Sequence, residues 1–156
     1  MSIFIGNIEG KIDEKGRLFI PSMYRKQLEG DDTQSIVMRK DPDRKCLVVY
    51  PRSVWERKIE ELKDSLNEWN ADDQMLMMQF VSDAVCVDID SHGRVLIPRK
   101  YIDEIGLKTE ALFVGSVDRF TLWSKQEFES QRLSPIDFAE RLRDKMSKKN
   151  ITNNAD

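Results

Sequence analysis

Few cysteines, a single histidine and no long apolar run set the first limits on this chain. The two cysteines, Cys46 and Cys86, have no C-x-x-C spacing, and the one histidine, His92, cannot complete a Cys/His zinc set. The expected state is reduced and metal-free, with no cofactor and no small-molecule ligand implied. No apolar stretch approaches the ~20 residues needed to span a bilayer. The first six residues lack both a basic n-region and a real h-region, so the expected location is cytoplasmic, with no membrane partner. Basic charge is not in excess: 25 Lys+Arg against 28 Asp+Glu leave a net charge of −3. That argues against passive, sequence-blind binding to a polyanion, and any nucleic-acid binding has to use a local patch. The P-loop, GxGxxG, HExxH and GxSxG signatures are all missing, and no enzyme activity is expected.

What is present is the composition of a folded protein. Hydrophobic residues make up 40% and charged residues 34% of 156, too apolar for general disorder. The length suits one domain of roughly 150 residues, or two small halves sharing a core.

Self-similarity organises the chain. Ile12-Asp13-Glu14-Lys15-Gly16-Arg17-Leu18-Phe19-Ile20-Pro21 returns as Ile89-Asp90-Ser91-His92-Gly93-Arg94-Val95-Leu96-Ile97-Pro98, an offset of 77 residues from Asp13 to Asp90. Further on, Tyr50 and Trp55 match Trp123 and Phe128 at an offset of 73, which places about four extra residues of the first copy in the Asp41-Pro42-Asp43 loop.

In each copy a short aliphatic run after the glycine (Leu18–Ile20, Val95–Ile97) reads as a strand. A short helix follows the proline (Ser22–Leu28, Arg99–Ile105), and then a strand pair (Ile36–Arg39 with Leu47–Tyr50, Ala111–Val114 with Phe120–Trp123). Ser53-x-x-Glu56 and Ser124-x-x-Glu127 read as capping boxes, the first opening a helix with Trp55, Ile59, Leu62 and Leu66 as its apolar stripe. Gln74–Val81 reads as a short helix whose Met75, Met77 and Met78 are adaptable core. Ser134-Pro135 starts a last helix running to about Met146.

The expected fold is α+β: two tandem βαββ-type units, each too small to close a core alone, interleaved as one pseudo-dimeric small β-barrel with flanking helices. The expected divisions are 1–70 for the first unit with its following helix, 71–130 for a linker helix and the second unit, 131–148 for a C-terminal helix and 149–156 for a disordered tail.

The shared Asp-x-x-Gly-Arg turn carries the functional signal. A hairpin turn accounts for the Asp, which accepts hydrogen bonds from the turn backbone, and for Gly16 and Gly93, which supply a positive φ. No turn geometry requires Arg after the Gly, yet Arg17 and Arg94 recur while the intervening residues change from Glu14-Lys15 to Ser91-His92. An Asp four residues upstream can fix the guanidinium, and a fixed Arg can read guanine O6 and N7 in a major groove. An acid-base pair of Asp13 and Asp90 fares worse, since each carboxylate sits beside its own arginine. Cys86, between Val85 and Val87, reads as a small packed residue rather than a nucleophile. Lys15, Arg25 and Lys26 are candidate phosphate contacts near the first turn, and Arg99 and Lys100 near the second.

At these residues the chain resembles the MraZ family of bacterial transcriptional regulators. The likeness rests on Phe4-Ile5-Gly6, the two turn motifs and Phe113-Val114-Gly115-x-x-Asp118-Arg119-Phe120-x-Leu122-Trp123, and it covers residues 4 to about 130. The resemblance implies two AbrB/SpoVT-like swapped-hairpin halves in one chain and a closed homo-oligomeric ring, octameric as one candidate size. It also implies binding of double-stranded DNA through the Asp-x-x-x-Arg turns, with location at the nucleoid. Family members act mainly as repressors of their own division and cell-wall operon, reading short G-rich direct repeats in its promoter. Carried over by position, the DNA-binding set is Asp13, Lys15, Gly16, Arg17, Asp90, His92, Gly93 and Arg94. A ring repeats a weak basic patch many times, so avidity replaces a high net charge.

The chain departs from the pattern at Ser91-His92, where the family usually has Gln at the second position. It departs again at the Met-rich 75–78 segment, where relatives often carry arginines. The rival reading is a protein-interaction module of the AbrB-like type, because such hairpins also pair with protein partners.

Overall fold

The computed structural model describes residues 3–30 and 35–154, the side chains of 150–154 excepted. Strands β1 (Asn7–Lys11) and β2 (Arg17–Phe19) flank the first glycine turn. Helix α1 (Ser22–Glu29) follows, then strands β3 (Ser35–Lys40) and β4 (Leu47–Pro51) and helix α2 (Arg52–Ser65). Helix α3 (Ala71–Ser82) leads into a second unit of the same order: β5 (Ala84–Asp88), β6 (Arg94–Leu96), α4 (Arg99–Ile105), β7 (Glu110–Ser116), β8 (Arg119–Trp123) and α5 (Lys125–Gln131). Helix α6 (Pro135–Asn154) comes last. The protein is mixed α+β, with a large antiparallel sheet and six helices among the described residues. Each unit has one strand more than the βαββ reading. β5 (Ala84-Val85-Cys86-Val87-Asp88) is the strand-turn stretch that carries Cys86, whereas β1 is hidden in sequence because Asn7-Ile8-Glu9-Gly10-Lys11 is polar and becomes a strand through its partner rather than its own propensity.

The pairing crosses between the repeats. Six strands form a sheet in the order β1-β7-β8-β4-β3-β5, and β2 pairs with β6 in a separate two-stranded ribbon. Exchanging the two repeats turns the six-strand order into itself read backwards. The registers obey the same exchange: Asn7 faces Val114 while Ala84 faces Arg39, and Val48 faces Thr121 at the centre. The offset between copies is therefore 77 at β1/β5 (Asn7, Ala84), 75 at β3/β7 (Arg39, Val114) and 73 at β4/β8 (Val48, Thr121). The extra residues of the first copy thus divide between the α1–β3 connection and the β3–β4 loop, rather than lying in the latter alone.

β4 is buried along its whole length, as a central strand covered on both faces must be. Phe4, Tyr24, Phe113 and Phe120 form an aromatic core with ring centroids 4.9 to 6.3 Å apart. Tyr24 donates its hydroxyl proton to the carbonyls of Ile5 (3.1 Å) and Gly6 (3.2 Å), and Tyr101, 77 residues on, donates to the carbonyl of Asp83 in the equivalent place. Gly115 lets the N-terminal segment close the sheet edge: a Cβ there would stand 2.4 Å from the Phe4 carbonyl oxygen, whose residue's N–H donates to Val117 at 2.7 Å.

Several local expectations change. Ser124 caps α5 by accepting from the Glu127 N–H at 3.2 Å, and Ser134 accepts from Asp137 N–H at 3.2 Å. Pro51 rather than Ser53 is the N-cap residue of α2: its extended backbone passes straight into the helix, and Ser53 stands inside the first turn. The Trp55, Ile59, Leu62, Leu66 stripe is half-buried, and Val54 is the residue α2 buries. Met75 and Met78 are exposed rather than core, because α3 buries none of its residues and packs chiefly through half-buried Phe80, whose ring stacks on Trp55 at 5.4 Å. Cys86 is exposed, since β5 is a sheet edge, and the Nη1 of Arg52 lies 3.8 Å from its Sγ. Cys46 is buried, and burial pushes its thiol up to about 12. Helix α6 extends to Asn154, past the expected end near 146–148 and into the segment expected as a disordered tail. No Gly or Pro follows Pro135 to stop it, and Asp144 and Lys148 pair at 3.0 Å along it.

Candidate nucleic-acid interface

Asp13 organises the first turn. Its Oδ1 accepts the N–H groups of Lys15 and Arg17, both at 2.9 Å, and its Oδ2 accepts Nε of Arg17 at 2.8 Å. The backbone closes on itself through Asp13 N–H to Arg17 O at 3.0 Å and Gly16 N–H to Asp13 O at 3.0 Å, with Gly16 at φ +85°. Asp90 repeats the scheme. Its Oδ1 accepts His92 and Arg94 N–H at 2.9 Å, its Oδ2 accepts Arg94 Nε at 2.9 Å, and Gly93 has φ +82°. Each carboxylate spends its second oxygen on Nε and holds the guanidinium by that one nitrogen. Such a group can make a bidentate contact with a planar acceptor pair.

Three hydrogen bonds to one carboxylate stabilise its charged form. The Arg17 backbone N–H is the chief reason Asp13 lies below its ordinary 3.8, followed by the Arg17 side chain; Arg94 does the same for Asp90. Neither carboxylate can act as a proton donor near neutral pH, which agrees with an orienting role.

The ribbon of β2 and β6 links the two turns, one at each of its ends. Gly16 O accepts the Ile97 N–H at 2.8 Å and Gly93 O accepts the Ile20 N–H at 3.0 Å, so each turn is tied to the strand of the other repeat. Leu18 and Val95 face each other and enter the core, whereas Arg17, Phe19, Arg94 and Leu96 alternate onto the outer face. Arg17 stands opposite Leu96, and Arg94 opposite Phe19 with its guanidinium 5.8 Å from the ring centre. Two like charges this near on one ribbon would repel; Asp13 and Asp90 offset them.

The structure therefore places all eight sequence-predicted site residues in two equivalent turns, one at each end of the β2–β6 ribbon. Lys15 and His92 occupy equivalent exposed places in the two turns, with His92 Nδ1 3.5 Å from the Ser91 hydroxyl. Arg25 lies elsewhere than expected. Its guanidinium packs on the second turn, where a Cβ added to Gly93 would be 2.3 Å from its Nη1, and its Nε is buried without a hydrogen-bond partner. The equivalent residue in α4 is Ile102, whose Cδ1 would be 3.1 Å from a Cβ on Gly16. The helix of each repeat thus supports the turn of the other. Arg25 is nearer the first turn along the chain, and it reaches the second because α1 packs there. Phe19 and Leu96 read in sequence as ordinary strand residues, and the period of two is the signal that places them on the face of the arginines.

A family model described as "MraZ protein, putative antitoxin-like" matches residues 3–77 and 80–149, one stretch for each repeat. A Bacteroides fragilis protein named Transcriptional regulator MraZ is 39% identical over 151 residues, spanning 97% of this chain and 96% of that protein. Proteins of the same name from Bacteroides thetaiotaomicron (40% over 147 residues, 94% of each chain) and Nitrosospira multiformis (34% over 136 residues, 87% and 91%) align similarly.

Proposed function

This chain belongs to the MraZ family, and on that premise we propose that it is a sequence-specific DNA-binding transcriptional regulator. It represses its own division and cell-wall gene cluster by reading G-rich direct repeats in the promoter. The observation that carries the reading is the pair of aspartate-held arginines, built twice with the same hydrogen bonds and linked by the β2–β6 ribbon. A two-stranded ribbon is an element that the major groove admits, and guanine offers a fixed arginine two acceptors, O6 and N7. Arg17 and Arg94 read bases or anchor phosphates, Asp13 and Asp90 orient them, Gly16 and Gly93 shape the turns, and Lys15 and His92 lie where the backbone would pass. No step here forms or breaks a covalent bond, so the protein is not an enzyme in this reading.

The crossed strand pairing supports a swapped-hairpin pseudo-dimer within one chain. A closed ring of such chains is supported by two apolar faces left without partners among the described residues. One, at the α2–α3 corner, holds Trp69, Met75 and Met78 in an acidic setting (Glu60, Glu61, Asp64, Glu68, Asp72 and Asp73 against Lys63). The other, on α6, holds Ile136, Phe138 and Leu142 on a helix with a basic second half. Two different complementary surfaces on one chain give head-to-tail contacts, which close into a ring when the rotation between neighbours completes a circle. In a ring the turns repeat and bind tandem DNA sites by avidity. Location is with the DNA, in the cytoplasm at the nucleoid.

The test is fluorescence anisotropy of the purified protein on a labelled duplex from upstream of its own gene, with a scrambled duplex as competitor, at several salt concentrations. Tight binding that weakens steeply with salt and resists the scrambled competitor supports the regulator reading. Binding that is absent or indifferent to sequence and salt supports the interaction module instead, whose apolar interface would not respond in this way.

A further inference from the structure

Phe19 and Leu96 are 58% and 56% exposed, while their neighbours Leu18 and Val95 are 1% and 2% exposed. They occupy equivalent positions in the two repeats, and both flank arginines. Phe19 is the cross-strand partner of Arg94, and Leu96 of Arg17, so charged and apolar groups alternate over the outer face of the ribbon. On a surface that meets only water or phosphates, a phenylalanine and a leucine beside the two arginines have no base to contact. On a surface meant to meet base edges they do. The major-groove edge of guanine offers two acceptors, which suit the guanidinium, and that of thymine offers a C5-methyl group, which suits an apolar side chain.

We propose that Phe19 and Leu96 are specificity-determining residues that cover thymine methyl groups next to the guanines read by Arg94 and Arg17. The proposal rests on the DNA-binding reading above and adds to it the class of base step recognised: guanine beside thymine, one such step for each turn. The Phe19 ring also bears on the Arg94 guanidinium at 5.8 Å and restricts its swing. Leu96 offers Arg17 no such ring, so the two halves of the ribbon differ in reach while sharing one pattern.

The experiment uses the full chain and the duplex from upstream of its own gene, prepared once with thymine and once with uracil at every thymine position. Uracil keeps the pairing and the charge and removes the methyl group alone. The wild-type protein is expected to bind the uracil duplex more weakly, by about fourfold for each methyl it covers. The Phe19→Ala/Leu96→Ala variant is expected to bind both duplexes equally, at about the wild-type affinity for the uracil form. A Phe19→Leu variant, which keeps an apolar contact, retains the preference. Equal binding of both duplexes by the wild-type protein overturns the proposal without need of any variant, and so does a double-alanine variant that keeps the full preference. Failure of the wild-type protein to tell the thymine duplex from its scrambled form overturns the DNA-binding reading itself, and the two failures are thus distinguishable.

Discussion

The two glycine turns share one hydrogen-bond scheme and rest on different chemistry. In both, the aspartate accepts two backbone N–H groups and one guanidinium Nε at 2.8 to 2.9 Å. Beneath Gly16 lies the buried methyl of Ile102; beneath Gly93 lies the guanidinium of Arg25. The cation that the first turn carries in its own loop, Lys15, has His92 as its counterpart in the second, and there a cation is supplied from below by Arg25. The difference teaches that Asp and Gly alone set the shape of the turn, leaving the residues around it free to adjust charge and packing.

The largest effects should come from the arginines themselves. Arg17→Ala and Arg94→Ala should each weaken binding to the upstream duplex by about 1–3 kcal/mol per reading contact, with similar losses if the two turns read alike. Titrations of both single variants check this, and a loss confined to one turn would break the equivalence. Next come the glycines. Gly16→Ala and Gly93→Ala each force a side chain into positive φ, at a cost of about 1–3 kcal/mol in thermal unfolding. Adding Arg25→Ala should lessen the loss in Gly93→Ala and leave that in Gly16→Ala unchanged, a coupling that a double-mutant cycle measures directly.

Acid should act on both turns together. Because Asp13 and Asp90 have folded values below the ordinary 3.8, the stability they contribute is complete above 3.8 and is lost as pH falls through their lowered values. Carboxyl chemical shifts should place both midpoints below 3.8, and a midpoint at or above it in either turn would show that turn to be open. The smallest expected change is in the phosphate contacts. Lys15→Gln should lower the slope of log affinity against log salt by about one while leaving sequence preference intact.

Much of this was legible in the sequence because it is local. The Asp-x-x-Gly-Arg turn needs five consecutive residues, and its repeat at 77 residues announced two copies of one unit. The helices after Pro21 and Pro98 and the cap at Ser124 are equally local signals. What the sequence hid depends on contacts across the repeats. β1 is a strand because β7 lies beside it, Arg25 reaches the second turn because α1 packs there, and Ser53 stands inside α2 because the helix begins at Pro51. The methionines of α3 read as core from composition, yet the helix has too few neighbours to bury them. Phe19 and Leu96 were in plain view, but only the ribbon register shows that each stands opposite an arginine of the other repeat.

The central claim is that the two aspartate-held arginines contact DNA. Its most direct test is the affinity of an Arg17→Ala/Arg94→Ala variant for the upstream duplex, with light scattering to establish that the variant assembles as the wild-type protein does. The account predicts loss of all binding that a scrambled duplex cannot compete. An assembled double variant with unchanged affinity and unchanged preference for its own sequence would contradict it.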